Sequence, residues 1–361
     1  MAGRERKYTP RVRSSRPIGE SRSTNKSPAT PIPAPESREG GWFLPDPQAQ
    51  RLHQKSALGH RVDDGILLTP EEVMFCHWYR HVPLPGGTGW FDEQVKATPR
   101  LALATIALDV LRNGGELVVP AVHLQHRFPH LNDATWAVRW ERHETWTRHG
   151  GFSQIRLHHT SDGLDWQELL AWVSDVEASN HTAELCVIDD EFDTTVYHLS
   201  LAEPTGDQRV LSNLSHQEME TLQKITTNAS PMETGFFVAN EGTWPLPALG
   251  VQHFSGRYLR DEERDYILNQ GLNVQSELYG DLANRGLILR PGFKYGCRWR
   301  AYETSIEAEH APWLVQPASE APETWEEVCL SVRLAEGVNK RWLCALRMNS
   351  MFSFLNIKRN A

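Results

Sequence analysis

The sequence predicts an α+β protein made of two related units, and three observations carry that expectation. The chain has 361 residues, enough for two domains of ordinary size, each with its own core. Stretches with helical spacing alternate with short apolar runs of strand type. Three blocks also recur at one offset. Trp166-Gln-Glu-Leu-Leu resembles Trp325-Glu-Glu-Val-Cys, the segment 175–181 resembles 334–340, and 138–143 resembles 297–302, each 159 residues further on. A period this long is no solenoid. It points to a tandem duplication in which each unit is a small mixed β-sheet packed by helices, with the boundary near 203–212.

The elements follow in order. Residues 1–45 are rich in Arg, Ser and Pro and poor in large apolar side chains. Such a segment cannot bury enough surface to offset its ordering entropy, so a disordered basic tail is expected, with order starting near Trp42. The stretch 67–81 reads as a helix, with Thr69 as N-cap, Pro70 in the first turn and Glu71 and Glu72 suiting the dipole. A second helix is expected over 99–115, stopped by glycines, then a short strand ELVVPAV. No element is assigned within the His- and Trp-rich stretch 123–166. A helix follows over 164–180, then two strands joined by the acidic loop Asp189, Asp190, Glu191, Phe192 and Asp193. In the second half, 261–286 is helical in pattern, strands flank the Pro291-Gly292 turn, 324–339 is a helix, and RWLCALRM and MFSFLNIK are closing strands. The expected domains are 1–45 (tail), 46–205 (first unit), 206–276 (leading subdomain of the second unit) and 277–361 (its closing subdomain).

Composition excludes several classes. Hydrophobic residues make up 40% and charged residues 23%, the balance of a folded globular chain. The net charge of −9 weighs against a non-specific nucleic-acid binder, although a local basic patch is enough to hold phosphates. Five cysteines without a C-x-x-C pair read as reduced thiols, so neither a disulfide framework nor a zinc site is expected. There is no apolar run of the roughly 18 residues needed to cross a bilayer and no secretory signal. The expected location is the cytoplasm, with no membrane partner. Gly86-Gly87-Thr88-Gly89 lacks the helix of a phosphate loop. His123, His126 and His130, and the pair His158 and His159, lack the spacing of a defined metal site.

Chemistry concentrates in the last third. Residues 285–302 hold Arg285, Arg290, Lys294, Arg298 and Arg300 and no acid, which is either a solvated sheet edge or a phosphate-binding surface. Tyr302 closes that run, His310 follows eight residues later, and Lys340 stands where a helix ends and a strand begins. Singly, each has a plain structural explanation.

Together they carry a resemblance. Lys294-Tyr295-Gly296, Trp299-Arg300-Ala301-Tyr302, His310, Arg333 and Lys340 follow in the order of the archaeal tRNA-splicing (tRNA-intron) endonuclease signature. Tyr279-Gly-Asp-Leu282 and Arg285-Gly286 match the segment that precedes it. The likeness is strong over 277–346, weaker in the first unit and absent from the tail. It implies a fused two-unit enzyme with a restriction-endonuclease-like catalytic subdomain. It implies metal-independent cleavage of precursor tRNA at bulge–helix–bulge sites, leaving 2′,3′-cyclic phosphate and 5′-hydroxyl ends. Tyr302 is then the base, His310 the acid and Lys340 the cation beside the five-coordinate phosphorus. A phenol ordinarily ionises near pH 10, so such a base needs cations beside it.

Arg333 is implied to grip a flipped bulge base by a cation–π contact. Its second arm aligns with Asn356, with Arg359 close by. Lys294, Arg298 and Arg300 are candidate RNA contacts. Neither cofactor nor metal is implied. In the first unit His143 and His181 replace Tyr302 and Lys340, with His149 opposite His310. That unit thus resembles the non-cutting half of fused enzymes, whose acidic loop (here 189–193) docks on a partner chain of a homodimer. Two alternatives stay open: a non-catalytic structural or RNA-binding subunit, and a metal-dependent nuclease on the histidines of the first unit.

Overall fold

The structure, a computed structural model, describes residues 31–239, 243–269, 273–349 and 351–360. The chain divides into two units, Met1–Asp162 with Trp172–His198, and Gly163–Ala171 with Leu199–Arg359.

The first unit opens with β1 (Glu36–Arg38), β2 (Gly41–Pro45), α1 (Gln48–Ser56), β3 (His60–Val62) and β4 (Gly65–Leu68). The four strands form one antiparallel sheet in the order β1-β2-β4-β3. Then come α2 (Pro70–Arg80), α3 (Trp90–Ala97), α4 (Leu101–Asn113), β5 (Leu117–Pro120), β6 (Ala137–Trp140), β7 (Ser153–His159), α5 (Trp166–Ala178), β8 (Thr182–Ile188) and β9 (Thr194–Ala202). The division between units falls within α5 and β9. β5, β6 and β7 pair antiparallel, and β7 and β8 pair parallel.

The second unit continues with α6 (His216–Thr227), β10 (Ser230–Pro231), β11 (Phe236–Ala239), β12 (Val251–His253), β13 (Gly256–Leu259), α7 (Asp261–Leu268), α8 (Val274–Asn284) and β14 (Ile288–Pro291). It closes with β15 (Trp299–Tyr302), β16 (Trp313–Pro317), α9 (Trp325–Gly337), β17 (Arg341–Met348) and β18 (Met351–Arg359). A small antiparallel sheet runs β10-β11-β13-β12. In the other sheet β14, β15 and β16 are antiparallel, β16 and β17 parallel, and β17 and β18 antiparallel. The architecture is mixed α+β.

Local chemistry explains the helix starts. Thr69 accepts from Glu72 N at 3.4 Å while Glu72 accepts from Thr69 N at 3.0 Å, closing a capping box ahead of Pro70. Ser215 and Glu218 do the same for α6, and Asn273 and Thr324 cap α8 and α9. Each unit has its own core. The first gathers Leu44, Ile66, Phe75, Leu108 and Ile155, and the second Leu278, Trp299, Val315, Leu343 and Phe354.

Three expectations change. The expected tail to residue 45 lies outside the described residues as far as 30, but 36–45 form β1 and β2, because Phe43 and Leu44 are buried in the core. The single helical stretch 261–286 is two helices, since Asn269 turns left-handed (φ 54°) and caps α7. The unassigned stretch 123–166 holds β6 and β7, of which β6 and the first four residues of β7 are all buried and so show no alternation.

The parallel connections of the two units agree in detail. Thr182 N donates to Phe152 O as Arg341 N donates to Pro312 O, and His181 N donates to Val176 O as Lys340 N donates to Ala335 O. The left-handed residue before each strand is an asparagine, Asn180 (φ 56°) and Asn339 (φ 54°). Among the described residues no helix is long and apolar enough to cross a membrane.

Candidate active site

Tyr302 ends β15, His310 lies in the loop before β16, and Lys340 precedes β17. Strand register brings these ends together. β15 pairs with β16 as far as Ala301↔Trp313, and β16 pairs with β17 from Trp313↔Arg341. One residue further along, Tyr302 and Lys340 flank Pro312 from opposite sides. Two strand spacings separate them, roughly 10 Å of backbone.

Side chains narrow that gap around Ala311. Lys340 Nζ donates to Ala311 O at 2.6 Å. Ala311 also packs with Tyr302, Ile288 and Ala248 in a small buried cluster. His310, the residue before Ala311, is exposed. One residue therefore touches the tyrosine, accepts the lysine and anchors the histidine loop.

Two further groups belong to this neighbourhood. The Arg300 guanidinium stands 5.8 Å from the Tyr302 ring centroid and 5.9 Å from that of Tyr295, and Lys340 Nζ is 5.7 Å from the Tyr295 ring. Arg300 uses Nε on Pro291 O at 3.1 Å, which leaves its terminal N–H groups out of that bond. Burial, and then the Arg300 charge, hold Lys340 below the ordinary lysine pKa.

The basic run 285–302 is not one phosphate surface. Arg285 pairs with Glu203 at 2.5 Å and Asp281 at 2.7 Å. Arg290 turns inward, donating to Ala248 O at 3.2 Å and Gly250 O at 3.1 Å beside the buried Glu263. Arg298, a candidate RNA contact, is held by Glu262 at 2.5 Å and by Gln275, and lines a cleft with Arg260, Glu262, Gln316 and Glu320. Acids distant in sequence neutralise three of the five cations. Lys294 is exposed, and among the described residues it and Arg300 have no acidic partner.

Arg333 is exposed on α9, and among the described residues it makes no ion pair. Glu336, one turn on, is taken by the C-terminal strand: it accepts from Arg359 N at 2.8 Å and lies 3.9 Å from Arg359 Nε. Asn356 is half-buried and donates to Ser200 at 3.2 Å.

In the first unit, His143 and His149 are exposed. His181 lies 3.0 Å from Gln154, and burial lowers its pKa. Asp189 turns its carboxylate back to accept from Glu191 N and Asp193 N at 3.0 and 2.9 Å. That leaves Asp190, Glu191 and Asp193 as the exposed acids, around an exposed Phe192. Among the described residues no group of three or more His, Cys, Asp or Glu is placed to hold a metal.

Residues 272–350 match the family model for the tRNA intron endonuclease catalytic C-terminal domain. A tRNA-splicing endonuclease of Methanococcus vannielii is 30% identical over 145 residues, covering 39% of this chain and 78% of that protein. The chain belongs to the tRNA-splicing endonuclease family. Another member, from Picrophilus torridus, is 25% identical over 172 residues, 48% of this chain and 54% of its own length. One from Methanothermobacter thermautotrophicus is 41% identical over 80 residues, 21% and 46%. The chain thus spans about half the length of the Picrophilus relative and 38% of one from Thermoplasma volcanium. Tyr302, His310, Arg333 and Lys340 all lie within the matched catalytic domain. Sequence reasoning gave Tyr295 no role, because spacing does not reveal that its ring faces Lys340.

Proposed function

We propose that this chain is an endoribonuclease that excises introns from precursor tRNA, cutting both bulges of a bulge–helix–bulge by metal-independent acid–base transesterification. The observation that carries the reading is the convergence on Ala311 of Tyr302 by packing, His310 by chain connection and Lys340 by hydrogen bond. In this mechanism Tyr302 takes the 2′-hydroxyl proton, the 2′-oxygen attacks phosphorus, and His310 protonates the departing 5′-oxygen. The products are a 2′,3′-cyclic phosphate and a 5′-hydroxyl. Lys340 and Arg300 meet the charge that grows on the phosphoryl oxygens.

The rest of the assembly follows from the same reading. Arg333 grips a flipped base from one side, and Arg359, not Asn356, supplies the second arm, because Glu336 tethers Arg359 one helical turn from Arg333. The two units descend from a tandem duplication, which the shared strand order, the paired hydrogen bonds and the Asn180/Asn339 turns support. The closing subdomain is restriction-endonuclease-like, and the first unit has lost its tyrosine and lysine. Two copies pair in the cytoplasm, each offering the loop around Asp190 and Glu191 to its partner. A two-fold enzyme suits a substrate with two related cut sites.

The deciding experiment is cleavage of an end-labelled bulge–helix–bulge RNA in EDTA, beside Lys340→Ala and His310→Ala. Cuts in both bulges with cyclic-phosphate ends, lost in both variants, are expected. No cleavage by the wild-type chain points to a non-catalytic RNA-binding subunit. A requirement for added metal overturns the mechanism.

A further inference from the structure

We propose that Tyr295 is a positioning residue whose ring face holds the ammonium of Lys340 and the guanidinium of Arg300 side by side as a two-cation clamp for one phosphate. This rests on the cleavage reading above and adds a residue that the reading does not need.

Lys340 and Arg300 are like charges in one small region, and Arg300 helps depress the lysine pKa. Left to themselves, two long cations separate into water. Both instead lie within 6 Å of the same ring, at 5.7 and 5.9 Å. A tyrosine face presents negative potential to each. It thereby offsets part of their mutual repulsion and consumes none of their N–H donors.

Those donors remain available. Lys340 spends one on Ala311 O and Arg300 spends Nε on Pro291 O. Each contact fixes the direction of its cation, and the remaining N–H groups suit phosphoryl oxygens. The backbone that carries the ring is fixed by a tight turn. Tyr295 closes a 3-10 turn, its N–H donates to Gly292 O at 2.7 Å, and Gly296 follows with φ 64°. Among the described residues its hydroxyl makes no hydrogen bond, so the ring face is the part assigned a role.

The test compares Tyr295→Phe, which keeps the face, with Tyr295→Leu, which keeps bulk only. Two readouts are taken on the full chain: kcat against pH for the bulge–helix–bulge RNA, and the pH dependence of Lys340 reductive methylation, followed by mass spectrometry. In the Leu variant kcat is expected to fall roughly tenfold, the scale of a partly desolvated cation–π contact. Its alkaline limb and the Lys340 methylation midpoint should both move to lower pH, because the ammonium has lost its stabilising face. The Phe variant is expected to restore the wild-type pattern in both. A Phe variant as impaired as Leu assigns the role to the hydroxyl and overturns the proposal, as does an unmoved methylation midpoint in Leu. If the wild-type chain does not cut RNA, the cleavage reading fails, and the methylation midpoints still decide what the ring does.

Discussion

The ammonium of Lys340 and the carbonyl of Ala311 lie 2.6 Å apart, and this bond ties the turn after α9 to the loop that carries His310. Because Ala311 also packs on Tyr302, a change at any of the three is felt by the others.

The first prediction concerns alkaline pH. Burial and the Arg300 charge hold Lys340 below the ordinary 10.5 of lysine. In the proposed mechanism the ammonium acts in its protonated form, so cleavage should fall as pH rises through a value below that. Arg300→Met removes one cause and should shift the alkaline limb of the kcat profile upward, while lowering kcat. A limb unmoved by this substitution would disprove the coupling.

A second prediction separates the two candidate arms of the base clamp. Arg359→Ala and Arg333→Ala should each weaken cleavage roughly tenfold through kcat/KM, the scale of a lost cation–π contact. Asn356→Ala removes a bond to Ser200 and should lower stability with little effect on bulge cleavage. Equal kinetic losses at Asn356 and Arg359 would count against the assignment.

A third concerns the buried carboxylate of Glu72. It accepts from Gly59 N and Thr69 N, each at 3.0 Å, and from His123 Nε2 at 2.8 Å, with no exposure of its own. Glu72→Ala strands these donors and should cost about 3–5 kcal/mol. Urea unfolding should show this as a lower midpoint for the first unit.

His158 supplies a fourth. Burial, and then the nearby Arg156 charge, press it from 6.5 to about 4. Between those values the unfolded chain binds a proton that the folded chain refuses. Stability is therefore highest above pH 6.5 and is lost as pH falls toward 4, by up to about 3 kcal/mol. His158→Asn should flatten that slope of unfolding free energy against pH.

The fifth concerns the proposed dimer. Reversing the exposed acids, Asp190→Lys with Glu191→Lys, should shift the chain toward monomer in sedimentation velocity. Asp189→Ala should act differently, through the loop, since that carboxylate is spent on Glu191 N and Asp193 N. A dimer indifferent to the charge reversal would eliminate this loop as the contact.

How far each feature could be read in advance depends on the range of its cause. The start of α2 was readable because Thr69, Pro70 and Glu72 act within one turn. α9 and its following strand were readable for the same reason, and the 159-residue echo carries that geometry into the first unit. β6 and β7 were hidden because strands buried on both faces lose their alternation. The partners of Arg298 and Arg290 were hidden because Glu262, Glu263 and the carbonyls of Ala248 and Gly250, distant in sequence, hold them.

The sequence by itself determined which residue types stand in what order: the tyrosine, histidine and lysine of the last third, and the asparagine turn before each closing strand. Those are properties of short windows, and short windows are visible in a linear chain. Tertiary structure alone decided that β16 lies between β15 and β17, so that Tyr302 and Lys340 reach one residue, Ala311. It also decided which cations stay free, because charge pairing depends on distance in space, and folding joins groups that the chain keeps far apart.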